Sequence, residues 1–157
     1  MSNNRSRIDL FRFMFEQVHD YVEGTMLGVS DEIARYQPGK PASILGQYAH
    51  LVSSEDWLVN MKAGERTPVM VAVNPGFQNP PPPVGWDEWA RTEPVDLPAL
   101  RSYAQAVYAA TDAFLAGVDD SILDKPVDLT AVGMGIVDVT SVLMLALTNN
   151  CMHCGEI

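Results

Sequence analysis

The side chains best suited to metal or acid–base chemistry in this sequence are three histidines, His19, His50 and His153. His50 and His153 belong to different predicted helices, each beside a stripe of apolar residues. Two imidazoles from facing helices can converge inside a helical bundle, and such bundles build their metal sites in this way. A catalytic zinc normally has three protein ligands and an open position, so two histidines alone do not complete a site.

The third ligand of such a site is not obvious from the sequence. Asn149 precedes His153 by four residues and shares its helix face, but an amide binds transition metals more weakly than an imidazole. His19 on the first helix, and Glu55 or Asp56 on the second, are the other candidates. The alternative for every histidine is a buried side chain that is simply hydrogen-bonded within the core.

The two cysteines, Cys151 and Cys154, form a single C-x-x-C motif. One such motif supplies only half of a structural zinc site. A redox role is the alternative, but a helix N-terminus is what stabilises a reactive thiolate, and Cys151 lies near the C-terminal end of its predicted helix. We therefore expect two ordinary thiols, packed or partly exposed, in a reducing compartment.

The composition indicates one soluble domain spanning residues 1–157. The chain is 47% hydrophobic and 19% charged, and its formal net charge is -10. A chain of 157 residues can bury a hydrophobic core without the help of disulfides or structural metal ions. No apolar run approaches the roughly 18 residues that a membrane-spanning helix needs. The negative charge disfavours nucleic acid and anionic lipid as partners. Asp9, Arg12 and Glu16 interrupt the first apolar stretch, unlike a secretory signal, so we expect a cytoplasmic protein.

Four segments have the three-and-four spacing of apolar residues that is typical of a helix with one buried face. The predicted helices cover residues 5–27, 43–63 and 96–117, and a fourth begins at Asp138 or Thr140 and runs to residue 157. Ser43 and Asp96 are the predicted N-caps of the second and third helices. Residues 64–95 between those two helices are rich in proline and glycine and form a predicted crossover or lid. The pattern predicts an all-α chain, a four-helix bundle.

Two further features concern how the helices are covered and how the chain ends. Trp86 and Trp89 are predicted to lie on a short helical turn within residues 64–95, where they either cover the core or roof a pocket.

At the C-terminal end of the sequence, Gly155 to Ile157 end the fourth predicted helix without a C-cap residue. A natural chain that continues past Ile157 would account for that ending.

Two segments resemble the signatures of the DinB-like superfamily, also called the DinB/YfiT-like metalloenzymes. SILGQYAHL at residues 43–51 resembles its second-helix motif, and NNCMHCGEI at residues 149–157 resembles its ending, His-x-x-x-His-x-Gly-Glu/Gln-Ile. The spacing between them and the connector DDSILDKPV at residues 119–127 are also similar to that family. The resemblance implies an up-down-down-up bundle with the long proline-rich crossover between helices 2 and 3.

The resemblance also implies a divalent metal, zinc or nickel, held by one histidine of helix two and two of helix four. His50 and His153 match that pattern, and Asn149 stands where the family has its middle histidine. Characterised relatives include transferases and isomerases that use a thiol such as bacillithiol or mycothiol, whose pKa the metal lowers.

These features give two hypotheses about function. The first is an inter-helix pocket around His50, Asn149 and His153 that serves a metal-dependent thiol transferase with a small-molecule substrate. The second is a small-ligand-binding or scaffolding bundle that has lost its metal. In either case we expect a homodimer, because relatives often pair through helix faces.

Overall fold

The computed structural model describes residues 6–37, 39 and 41–157, and most of these residues are helical. The α-helices are α1 Arg7–Thr25, α2 Asp31–Arg35, α3 Ile44–Glu55, α4 Trp86–Thr92, α5 Leu97–Ala116 and α6 Val139–Glu156. The four long predicted helices therefore correspond to α1, α3, α5 and α6. The predicted start of the first helix at Arg5 lies outside the described residues.

The starts of the long helices are fixed by capping side chains. The side-chain oxygens of Ser43, Asp96 and Asp138 each accept the backbone N–H three residues later, at 3.1, 2.8 and 2.7 Å. Ser6 and the residue three positions later, Asp9, form a reciprocal capping box at the start of α1. Each cap satisfies a backbone donor that the first helical turn leaves unpaired.

The core forms where the apolar faces of the long helices meet. α1 packs against α5 and α6, and α3 packs against α6, α5 and α4. Tyr48, Tyr103 and Phe15 are among the largest side chains that are fully buried. Full burial of one such side chain stabilises the fold by about 1.5–3 kcal/mol. α3 is buried on nearly all sides, so polar side chains on this helix need partners within the protein.

The predicted second helix runs to Ala63, but its last part is a π-helix, Asp56–Ala63, that continues α3. The buried Asp56 carboxylate accepts hydrogen bonds from the Tyr103 hydroxyl at 2.8 Å and from the backbone N–H groups of Val69 and Met70 at 2.9 and 3.1 Å. The beginning of the proline-rich segment is thereby attached to the π-helix and, through Tyr103, to α5.

The chain departs from an all-helical pattern between α5 and α6. Strands β1 Pro126–Asp128 and β2 Ile136–Asp138 form an antiparallel pair in which Val127 faces Val137. Gly133 and Gly135 have φ values of 77° and 68° in the intervening turn, a conformation that favours glycine. Strands of three residues are too short to show alternation, which is why the sequence indicated only a connector there.

Further short helices lie in segments that were predicted as connectors. α2 falls between α1 and α3, and a 3-10 helix, Val69–Val71, falls in the proline-rich segment before α4. Two more 3-10 helices, Asp120–Asp124 and Thr130–Val132, fall between α5 and α6. Their few residues give no sustained periodicity in the sequence. None of the described helices has both the length and the apolar character that crossing a membrane requires.

Candidate functional site

The structure brings together the two histidines that the sequence marked on different helices. His50 lies on α3 and His153 lies on α6, and their ring centroids are 4.7 Å apart with the rings perpendicular. Both side chains are buried. The close packing of α3 against α6 creates this pair, because each histidine lies on the face that its helix turns toward the other.

Each imidazole has a polar neighbour at Nδ1. The Glu156 carboxylate Oε2 lies 2.6 Å from Nδ1 of His153, and the Ser54 hydroxyl lies 3.4 Å from Nδ1 of His50. A carboxylate behind an imidazole fixes the orientation and the tautomer of the ring. Burial, and then the nearby charge of His153, lowers the pKa of His50 to about 3, although a hydrogen bond with Asn149 raises it. His50 is therefore neutral at physiological pH.

Trp86 covers both histidines. Its ring stacks on that of His50 with centroids 3.8 Å apart and an interplanar angle of 12°, and it meets His153 edge-on at 4.9 Å. Trp89, one turn later, instead belongs to the core, where its indole N–H donates to the Asn79 carbonyl at 2.7 Å. Each of the two predicted roles therefore applies to one tryptophan: Trp86 covers a pocket and Trp89 covers the core.

A glycine in the second-helix motif allows α4 to hold Trp86 in this position. Gly46 lies one turn before His50, and a Cβ atom there would approach the Ala90 carbonyl oxygen to 2.4 Å. Only glycine permits two backbones to pack this closely. The second-helix motif therefore contains both His50 and Gly46, whose close contact with α4 lets Trp86 cover His50.

A cavity of ≈ 560 Å³, the His50 cavity, opens beside this pair. Its walls are mostly tryptophan, leucine, methionine and proline, and its polar members are His50, Ser53, Ser54 and Asn149. The apolar lining comprises Trp57, Leu58, Met61, Pro68, Met70, Pro80, Pro81, Pro82, Pro83, Trp86, Val132, Met134 and Leu145. No Asp, Glu, Lys or Arg is among these lining residues. A pocket with apolar walls and a few convergent polar groups is typical of a small-molecule site.

Asn149 lines this cavity and has one buried polar atom without a partner in the described part of the chain. Its Nδ2 atom is buried and has no hydrogen-bond partner among the described residues. Its side chain also forms a hydrogen bond with His50 that raises the pKa of that imidazole.

The donor set at this position does not match a three-ligand metal centre. Within residues 6–37, 39 and 41–157, no three His, Cys, Asp or Glu side chains form a group that could hold a metal ion. Asn149 adds an amide, which binds zinc or nickel more weakly than an imidazole does. Two imidazoles alone leave a zinc or nickel site one strong ligand short.

The other candidates for the third ligand are engaged elsewhere. The fully buried Glu55 carboxylate contacts Nε2 of His19 at 2.9 and 3.0 Å. It also accepts from the Thr111 hydroxyl at 2.7 Å and from the Asn150 amide at 2.6 Å. The Asp56 carboxylate is occupied by the hydrogen bonds that it accepts from Tyr103 and from the backbone at the start of the proline-rich segment. The Glu55 network was not predicted, although an acidic residue within the apolar stripe of the second helix was a signal for it.

The cysteines stay apart from the His50 cavity. Cys151 is exposed, and Cys154 is partly buried with its Sγ atom 3.1 Å from the Thr25 hydroxyl. Both are free thiols near the C-terminal end of α6. This arrangement agrees with two ordinary cysteines that take no part in the site.

Comparison with known proteins identifies the family. The family model of the DinB superfamily matches residues 14–157. A solved structure, described as the conserved protein of locus from Enterococcus faecalis, has the same fold with a TM-score of 0.72. The two share 16% sequence identity over 96% of this chain and 92% of that one. No curated protein matches the sequence. Because the family match covers nearly the whole chain, this protein belongs to the DinB superfamily.

Proposed function

We propose that this protein binds a small apolar molecule in the His50 cavity and does so without a metal ion. The observation that carries the proposal is the composition of the cavity itself. Its volume of ≈ 560 Å³ suits a small organic ligand, its walls are apolar, and its polar side chains converge near His50 and Asn149. Burial of apolar ligand surface supplies the affinity, and the polar end orients the ligand.

The donor set favours binding over metal catalysis. A stacked Trp86 already occupies one face of His50, and Asn149 supplies an amide where a third imidazole would be needed. Neither observation requires a metal to explain the burial of the two histidines. A bundle that has kept the pocket of its family while losing the third imidazole is the simplest account of these contacts.

The proposal is tested with N-phenyl-1-naphthylamine, an uncharged probe whose fluorescence rises in apolar surroundings. Met61 lines the cavity, and Met144 on α6 does not, yet the two have similar exposures of 42% and 46%. Met61→Glu places a carboxylate at the cavity wall, so we expect it to weaken probe binding at least tenfold. Met144→Glu is the matched control and should bind like the parent. Equal affinities in both variants, or no saturable binding by the parent, would overturn the proposal.

A metal-dependent thiol transferase is the second candidate, favoured by the short distance between the histidine rings and by the carboxylate behind His153. A bound zinc or nickel ion would supply Lewis acidity and lower the pKa of a substrate thiol. Metal analysis of tag-free protein beside His50→Ala and His153→Ala distinguishes the candidates. The transferase requires stoichiometric metal that both variants lose, and the binding protein requires none in any sample.

We also infer that α1, α3, α5 and α6 form an up-down-down-up four-helix bundle with residues 64–95 as the crossover. Membership of the DinB superfamily and the packing of α1 on α5 and α6, and of α3 on α6, support this arrangement. A long connection between α3 and α5 is what two parallel neighbours need.

A further inference from the structure

The apolar sequence of α6 does not by itself fix which side of this helix faces the bundle. Its residues 142–147 are Val, Leu, Met, Leu, Ala and Leu, an uninterrupted apolar run. The run is longer than one helical turn of about 3.6 residues, so apolar side chains occur on every side of α6. Hydrophobic burial is not directional, and such a helix can bury a similar area in several rotations. A directional contact is therefore needed to set the rotation of α6.

Asn150 supplies a directional contact of this kind. Its side chain is fully buried, and its Nδ2 atom donates to Oε2 of Glu55 on α3 at 2.6 Å. A hydrogen bond requires its donor and acceptor to point at each other. In coiled coils, a single buried asparagine determines the register of helices that apolar side chains alone would leave ambiguous. The bond between Asn150 and Glu55 specifies one rotation of α6 against α3 in the same way.

The Glu55 carboxylate is a fixed reference point for this contact. It is fully buried and contacts Nε2 of His19 on α1 at 2.9 and 3.0 Å. The Thr111 hydroxyl on α5 donates to it at 2.7 Å. One side chain from each of the four long helices thus meets at this carboxylate. Because contacts from α1 and α5 already orient Glu55, the bond from Asn150 places α6 relative to the rest of the bundle.

The rotation of α6 determines where His153 points. Asn150 and His153 are three residues apart, and residues at this spacing are neighbours on one side of a helix. When Asn150 points into the bundle, His153 points into it about one turn later. There its ring lies 4.7 Å from that of His50 and 4.9 Å from that of Trp86, measured between centroids.

We infer that the hydrogen bond between Asn150 and Glu55 sets the rotation of α6 and thereby holds His153 against His50. Glu55 and Asn150 are positioning residues of the site, since neither is among the residues that line the His50 cavity. The consequence for ligand binding rests on the proposed function. The placement of the two imidazole rings does not depend on it.

The test compares two variants that each remove one donor from Glu55. Asn150→Leu removes the amide and Thr111→Val removes the hydroxyl, each at a fully buried position and with nearly the same side-chain volume. Nuclear Overhauser effects between the ring protons of His50 and His153 report the contact of the two rings directly. We expect the parent chain and Thr111→Val to show these effects and Asn150→Leu to lose them.

Binding of N-phenyl-1-naphthylamine extends the test to the cavity. Leu145 and Asn149 of α6 line the cavity, so a rotated α6 would change its wall. Asn150→Leu should bind the probe at least tenfold more weakly than the parent, and Thr111→Val should bind it like the parent. A parent that does not bind the probe would refute the proposed function and leave the comparison of the rings intact.

Two results would overturn the inference. One is a ring contact that persists in Asn150→Leu. The other is a ring contact that is lost in Thr111→Val as well, because a network that only stabilises the fold would make the two variants alike. Asn150→Ala removes the same donor without placing a larger apolar group beside Glu55, and it decides the question if Asn150→Leu does not fold.

Discussion

At the scale of single residues, Asn149 determines the chemistry that is open to the histidine pair. It lies one helical turn before His153 and lines the same cavity as His50. As an asparagine it offers an amide, which hydrogen-bonds with His50 and is a weak ligand for transition metals. As a histidine it would offer a third imidazole nitrogen to the same space.

Asn149→His should therefore create a metal site. Three convergent imidazoles match the ligand number of a catalytic zinc site. We expect the variant to bind zinc or nickel at least tenfold more tightly than the parent, a gain of about 1.4 kcal/mol or more. Calorimetric titration of both proteins with the same metal measures this. Equal affinity would mean that position 149 does not converge with the two histidines.

His50 should also make stability depend on pH. Its pKa is lowered to about 3 in the folded protein, whereas an exposed histidine has a pKa near 6.5. Below pH 6.5 the unfolded chain takes up a proton that the folded chain excludes, so stability falls as the pH falls toward 3. The slope from this one group reaches at most about 1.4 kcal/mol per pH unit.

Urea unfolding of metal-free protein at pH 7 and pH 5 measures this effect. We expect a lower free energy of unfolding at pH 5 in the parent and a smaller decrease in His50→Gln. The lowered carboxyl pKa values, such as those of Asp120 and Asp138, act only near and below pH 4 and do not interfere. A decrease of the same size in both proteins would refute the assignment to His50.

At the scale of elements, the packing of α4 against α3 determines whether Trp86 covers the His50 cavity. The contact passes through Gly46, where a Cβ atom would meet the backbone of Ala90. Because the obstacle is backbone rather than a flexible side chain, α4 would have to move as a unit. Trp86, the first residue of that helix, would move with it.

Gly46→Ala should consequently destabilise the protein by about 1–3 kcal/mol through overpacking and weaken probe binding in the cavity. Gly24→Ala is the matched control, because Gly24 is also helical but has open space around its Cβ position. It should raise stability by about 0.5–1 kcal/mol, the usual gain from replacing a helical glycine. Thermal unfolding and probe titration of both variants check the prediction, and similar behaviour of the two would contradict it.

The long helices could be predicted from the sequence because their apolar stripes extend over many turns and their caps are ordinary Ser and Asp residues. The convergence of His50 and His153 followed from the same stripes together with the family resemblance. The β-hairpin, the π-helix after Glu55 and the close contact at Gly46 could not be predicted. Each depends on tertiary packing or on segments too short to show a period. The orientation of the Asn149 amide likewise depends on its neighbours in space.

At the scale of the whole molecule, the outer face of α1 is the surface on which we expect a second copy of the chain. Leu10 and Tyr21 are exposed there, and Met14 between them is partly buried. These positions share one side of the helix, so they form an apolar stripe that a homodimer would cover.

Light scattering at high concentration tests this expectation. We expect the parent to have the mass of a dimer and Tyr21→Lys to shift toward the monomer. Tyr36→Lys is the control, since Tyr36 is about as exposed as Tyr21 but lies outside α1. A parent protein that is monomeric at every concentration would remove the dimer from the account.

We propose that this protein of the DinB superfamily uses the His50 cavity to bind a small apolar molecule without metal. The most direct test of this proposal is titration of tag-free protein with N-phenyl-1-naphthylamine before and after dialysis against EDTA, with the metal content measured in both samples. We predict saturable binding of one probe molecule per chain, with the same affinity in both. Absence of saturable binding, or its loss when metal is removed, would contradict the claim.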